Sequence, residues 1–276
     1  MQASGDDKPI GLDFISGLGM PPDRFVELAA RLGCSSVSLA PFPLTPNPCG
    51  FADWSFASEP AHAKAARDAL QARGIALGTV EGCFITPQAE VVNYAGLLDL
   101  FAGMAASRLS IVILEPDRPR AMEQAAKLAE MASERAMRPV LEFIPGTPVG
   151  DLVTALAAVA EVGSDCGLVI DAMHLFRSGA NAADVRSLDP SMIAQVQLCD
   201  VPLKNDAMQY GQEAGTERLP PGEGELPLAS LIDAIPPGTP VSLELPMMSR
   251  ANSPEALEAA LADAVERTRA LLGSVD

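Results

Sequence analysis

The chain has 276 residues, 48% of them hydrophobic and 20% charged, a balance that supplies a large core and excludes a disordered or fibrous protein. Acidic side chains number 36 against 19 basic ones, for a formal charge of −17. Such a surface repels phosphate backbones, and Arg118, Arg120, Arg135 and Arg138 are scattered among acids rather than gathered in a stripe, so no nucleic-acid partner is expected.

Short apolar runs alternate with helical patterns along the whole length. The expected order is strand Ile10–Phe14, helix Pro22–Leu32, strand Ser36–Ala40, helix Ala61–Arg73, strand Ile75–Val80, helix Glu90–Ala105, strand Ser110–Leu114 and helix Pro119–Arg135. It continues with strand Pro139–Phe143, helix Gly150–Val162, strand Gly167–Ile170, helix Ala182–Arg186, strand Ile193–Leu198, helix Leu228–Asp233, strand Val241–Leu245 and helix Pro254–Leu272. Punctuation supports several of these: Pro21-Pro22 and Ser253-Pro254-Glu255 start helices, while Gly33 and Gly74 stop them. Eight strand–helix units of about 34 residues each predict a single (β/α)8 barrel over 9–276, preceded by a tail at 1–8. A dinucleotide-binding open sheet is excluded by Pro21 and Pro22, which stand where the third glycine and helix start of a G-x-G-x-x-G turn belong.

The most apolar stretch, Ala95–Ala106, carries Asp99 and falls short of the ~18 residues of a membrane span, so no membrane partner is expected. Cys34, Cys49, Cys83, Cys166 and Cys199 are odd in number and lack metal-ligand spacing, and the start MQASGDDKPI is polar and acidic. Together these predict a reducing, cytoplasmic setting. Two long connections, Pro41–Pro60 and Asp200–Pro227, follow strand C-termini and read as covers over a site on that face.

The informative residues stand at the strand ends. Glu81 and Glu115 follow strands three and four, and then come Glu142 in VLEFIP, Asp171 in LVIDAMH, Gln197 and Asp200 in VQLCD, and Glu244 in SLELP. A carboxylate at the end of a buried strand is costly unless it is paired or bound to a cation. Parallel barrel strands bring these ends to one rim, where like charges need a counter-charge. Glu142, Asp171, Gln197 and Glu244, spaced by 29, 26 and 47 residues, form an all-oxygen donor set that suits one divalent ion, Mn²⁺ or Mg²⁺, with Co²⁺ an alternative. Glu81 and Glu115 are read as structural acids, and His62 as a surface helix residue. Phe14, Phe42, Phe51, Trp54 and Phe84 are candidates for pocket walls or for core.

These motifs resemble the xylose-isomerase-like sugar isomerase and epimerase barrels. The Asp-x-x-His followed by Arg and Gly is present as Asp171, His174, Arg177 and Gly179. Gln197 with Asp200-Val201-Pro202, and the Pro-Gly-x-Gly of ERLPPGEGELPL, are similar to the hydroxypyruvate isomerase branch. The resemblance implies a metal-dependent isomerase or epimerase of a small keto-sugar or hydroxy-keto acid, with Glu142 and Glu244 passing protons through a cis-enediolate held by the cation. It also implies substrate contacts from His174 and, as a second candidate, Arg218. The alternatives are a dehydratase of a keto-cyclitol or dehydroshikimate-like ring, and a non-catalytic sugar-binding barrel. The endonuclease branch resembles a histidine-rich three-metal site, which a chain with only His62 and His174 does not match. The sequence leaves homo-oligomerisation open.

Overall fold

A computed structural model describes residues 8–163 and 165–274, so the expected N-terminal tail, Lys8 apart, lies outside the described residues. Among the described residues nine parallel strands are present: β1 (Ile10–Leu12), β2 (Ser36–Leu39), β3 (Ala76–Val80), β4 (Phe84–Ile85), β5 (Arg108–Ile113), β6 (Arg138–Glu142), β7 (Gly167–Asp171), β8 (Ile193–Leu198) and β9 (Val241–Leu243). Their order is β3-β2-β1-β9-β8-β7-β6-β5-β4, with β3 also paired to β5. That pairing closes eight strands into a barrel and leaves the two-residue β4 as an extension alongside β5. The sheet therefore has no free edge at the barrel wall, and every C-terminal strand end opens on the same face.

Around it run α1 (Pro22–Arg31), α2 (Pro60–Arg73), α3 (Ala95–Ala102), α4 (Arg118–Ser133), α5 (Leu152–Val162), α6 (Ala172–Arg177), α7 (Ala182–Arg186), α8 (Tyr210–Thr216), α9 (Leu228–Ala234) and α10 (Pro254–Gly273). Their starts follow local chemistry. The Asp117 carboxylate accepts from the Arg120 amide, Asp151 and Thr154 cap each other reciprocally, and the Ser253 hydroxyl accepts from the Ala256 amide. The first strand ends at Leu12, two residues early, because a 3-10 turn takes over at Phe14–Gly17. The expected helix 90–105 divides into a 3-10 turn at Val91–Tyr94 and α3, and the last strand stops at Leu243, immediately before the acid at its end.

The main apolar core lies between barrel and helices, with Phe25, Phe101 and Phe143 fully buried. Inside the barrel the filling is partly polar. Thr79 donates to Gln195 Oε1 at 2.5 Å, Gln195 Nε2 donates to the Ser242 hydroxyl at 2.8 Å, and that hydroxyl donates to Asp13 Oδ2 at 2.5 Å. Arg108 Nε adds a bond to Gln195 Oε1 at 3.2 Å. These bonds brace β1, β3, β5, β8 and β9 across the barrel axis, below the rim where the acids stand.

A cover of one barrel mouth

The segment 200–227 folds down on the open face. Asp200, expected from the sequence only as a strand-end acid, is its staple: its carboxylate accepts from the backbone amides of Val201, Gly222 and Leu226 at 2.9, 2.9 and 3.0 Å. This explains the Pro-Gly-x-Gly motif in part, since a Cβ on Gly224 would lie 2.3 Å from Asp200 Oδ1. Helix α8 within the cover places Glu213 against Arg177, whose Nη2 donates to both carboxylate oxygens at 2.9 and 3.0 Å. Arg218 follows and enters the barrel mouth. Glu223 pairs with Arg250, and Glu225 accepts from the Leu203 amide, so both are loop structure.

Candidate active site

A cavity of about 240 Å³ opens at the C-terminal strand ends. Glu81, Ser110, Glu142, His174, Arg218 and Glu244 supply its polar groups, and Ile15, Leu44, Phe84, Val112 and Ile144 much of its apolar wall. Phe84 is thus the one aromatic of the expected set on the cavity lining. Phe14 and Trp54 instead pack edge to face in the core, with ring centroids 5.6 Å apart.

Glu142 ends β6 and Glu244 follows β9. One donor atom each from Glu142, His174 and Glu244 lies within 4.8 Å of the others, a spacing that one small cation can bridge. His174 Nε2 stands 3.3 Å from Glu142 Oε1, and its other ring nitrogen, Nδ1, is hydrogen-bonded to the Tyr210 hydroxyl from the cover. Tyr210 therefore orients the imidazole from behind. It is 36 residues distant in sequence, and no spacing rule points to it.

Gln197 touches Glu244 directly and Asp171 is joined to it through Arg218, while neither is on the cavity lining. Gln197 Nε2 donates to Glu244 Oε1 at 3.0 Å, which leaves Gln197 Oε1 buried without a hydrogen-bond partner. Asp171 is wholly buried and doubly engaged: Oδ1 accepts from the His174 amide at 2.8 Å as the N-cap of α6, and Oδ2 meets Arg218 Nη1 at 2.5 Å. The same Nη1 lies 2.7 Å from Glu244 Oε2. Close as it is, this contact lacks hydrogen-bond geometry, since Glu244 Oε2 is among the buried atoms without a hydrogen bond. Arg218, a loop cation in the sequence, is thus 3% exposed and acts as the internal counter-charge of the site.

The electrostatics follow from sharing one guanidinium among several acids. Burial opposes ionisation at Asp171, yet Arg218 and His174 hold its carboxyl below the usual range. At Glu244 burial prevails over Arg218, and Glu142 and Asp171 add repulsion, so its carboxyl rises well above the ordinary value. A donor set with three acids, one guanidinium and two orphaned oxygens, those of Gln197 Oε1 and Glu244 Oε2, has the chemistry that fits a divalent cation. Cys83 also lines the cavity, but burial pushes its thiol up to about 12, which leaves it without nucleophilic character.

A closed barrel with convergent acids at the C-terminal mouth defines the protein as a (β/α)8 barrel with its candidate site at the face where such barrels carry their sites. The family described as the xylose isomerase-like TIM barrel matches residues 19–271, and the chain belongs to that family. Among solved structures it is similar to a xylose isomerase-like TIM barrel/4-hydroxyphenylpyruvate dioxygenase fusion protein at 17% identity and TM-score 0.77, covering 97% of this chain. The chain spans only 44% of that fusion protein. It is similar to an IolI protein with a bound zinc atom at 15% identity and TM-score 0.73, over 98% of this chain and 99% of that one. It is also similar to D-psicose 3-epimerase of Clostridium cellulolyticum H10, solved with D-tagatose, at 14% identity and TM-score 0.70, over 96% and 99% of the two chains. No curated protein matches in sequence.

Proposed function

We propose that the protein is a divalent-metal-dependent isomerase or epimerase of a small keto-sugar or hydroxy-keto acid. The observation that carries this reading is the convergence of Glu142 and Glu244, from β6 and β9, with His174 in one cavity, their donor atoms within 4.8 Å. A divalent cation held by Glu142, Asp171, Gln197 and Glu244 would polarise a substrate carbonyl and acidify the neighbouring C–H. One glutamate removes that proton and the other returns it, to the adjacent carbon for isomerisation or to the same carbon for epimerisation. His174, fixed by Tyr210, donates a hydrogen bond to a substrate oxygen, while the cover keeps bulk water from the exchanging proton.

A second reading, dehydration of a keto-cyclitol or dehydroshikimate-like ring, draws on the apolar wall of Ile15, Leu44, Phe84, Val112 and Ile144, which suits the face of a ring better than a chain hydroxylated at every carbon. The experiment is a screen of ketoses, keto-acids and keto-cyclitols with Mn²⁺, followed by ultraviolet absorbance and by exchange of substrate hydrogen with D2O. Isomerisation or epimerisation gives exchange without a new chromophore, and dehydration gives a conjugated, absorbing product. Glu142→Gln and Glu244→Gln should each lower turnover by ~10²–10⁴-fold with the fold intact, and near-normal activity in either would refute the proton-relay role.

A further inference from the structure

Glu81 and Glu115 occupy equivalent places, each just after a neighbouring barrel strand, yet their surroundings differ. Glu115 is fully paired: Oε1 accepts from the Asp117 amide at 2.9 Å and Oε2 meets Arg120 Nη1 at 2.8 Å. Glu81 is 8% exposed and lines the cavity, and its Oε1 is buried without a hydrogen-bond partner among the described residues. An orphaned buried carboxyl oxygen is destabilising by about 1–3 kcal/mol, so a group used only for structure would be expected to find a partner, as Glu115 does. Its place in the barrel is specific. β3 and β8 are four strands apart whichever way the ring is followed, so Glu81 stands diametrically across the mouth from Gln197.

We propose that Glu81 is the second polar pole of the cavity, a subsite that binds a neutral hydroxyl group of the substrate and does not accept phosphate. This rests on the reading of the cavity as a substrate site and extends it to the far end of the substrate. The chemistry follows from what faces the cavity. Among the described residues, the basic side chains on its lining are Arg218 and His174; Arg218 is engaged by Asp171 and Glu244, and His174 by Glu142 and Tyr210. Among the described residues, the lining offers no cation unpaired with an acid to receive a phosphoryl or sulfo group beside Glu81. Burial, and then the charge of Asp13 and Glu142, push Glu81 up toward its protonated form against the help of Ser38 and Arg218. A neutral carboxyl both donates and accepts, as a hydroxyl does, and the two are complementary. Between the poles the walls are apolar, so the substrate has oxygen at both ends and low polarity on its flanks.

The test is binding to the metal-free protein, measured by calorimetry with two neutral probes, D-xylulose and keto-inositol, and with the terminal phosphate ester of D-xylulose. The wild type binds at least one neutral probe. Glu81→Ala weakens that binding at least about 10-fold, Glu81→Gln, whose amide also donates and accepts, stays within about 3-fold of wild type, and the phosphate ester binds at least about 10-fold more weakly than its parent. Glu81→Gln, which can keep the interaction with Ser38, retains the wild-type thermal midpoint; a lowered midpoint in Glu81→Gln, or one in Glu81→Ala with unchanged binding, would mean a structural role and overturn the proposal. Binding by Glu81→Ala equal to wild type, a phosphate ester bound as tightly as the ketose, or no binding of either neutral probe would overturn it as well. Turnover and metal enter none of these measurements, so a failure of the proton-relay reading, seen in Glu142→Gln and Glu244→Gln, is read separately.

Discussion

Removing Arg218 tests the electrostatic account of the site. Its guanidinium is 2% exposed and lies 2.5 Å from Asp171 Oδ2 and 2.7 Å from Glu244 Oε2, carboxylates that are 0% and 6% exposed. Arg218→Met keeps the length of the side chain and deletes the charge, which leaves two buried acids facing each other beside Glu142. Breaking a buried pair in this way costs about 3–5 kcal/mol, and at ~2–4 °C per kcal/mol for a chain of this size the thermal midpoint should fall by roughly 6–20 °C. The measurement is thermal and urea unfolding at neutral pH without added metal, repeated with Mn²⁺. The cation replaces the missing charge, so Mn²⁺ should raise the midpoint of the variant by more than it raises that of the wild type. A loss below about 1 kcal/mol, or a variant that responds to Mn²⁺ no more than wild type, would refute the reasoning.

Asp13 gives a pH dependence with a defined sign. Burial, against bonds from Ser242 and other side chains, raises its carboxyl from 3.8 to about 6. The folded state then holds this proton more tightly than the unfolded state, so the contribution is fully present below pH ~4 and is lost as pH rises through ~6, about 3 kcal/mol in all. Urea unfolding of wild type and Asp13→Asn at pH 4.5 and 7.5 should show this decline in the wild type and a flatter profile in the variant; parallel profiles would count against it. Tyr210→Phe removes the hydroxyl that orients His174 and should lower turnover about 10-fold, with little change in the thermal midpoint. Unaltered kcat and KM would show that the imidazole needs no such support.

The strand-end oxygen donors were legible because a parallel barrel turns sequence position into place: Glu142 and Asp171 end strands, Gln197 is next to last in its strand and Glu244 follows one, all toward the C-terminal rim. What periodicity could not resolve was short or distant. α6 and α8 have 6 and 7 residues, too few turns for a periodic signal, yet α6 makes Asp171 a helix cap and α8 brings in Tyr210. Arg218 is legible only as a candidate substrate contact in a long connection rich in Gly, Glu and Pro, and only the folding of that connection onto the barrel buries it against Asp171 and Glu244. The contrast between Glu81 and Glu115 was partly present in the sequence. Glu115 is followed five residues later by Arg120, which reaches back to it from the first turn of α4, whereas 82–90 offers Glu81 no basic residue.

The account depends on one divalent cation bound in the mouth of the barrel. Titration of the metal-free protein with Mn²⁺, followed by calorimetry and by the electron paramagnetic resonance of the free ion, tests this directly. One ion should bind per chain, with binding lost in Glu244→Ala and weakened in Gln197→Leu. A wild type that takes up no Mn²⁺, or a Glu244→Ala protein that binds it as tightly as wild type, would contradict the account.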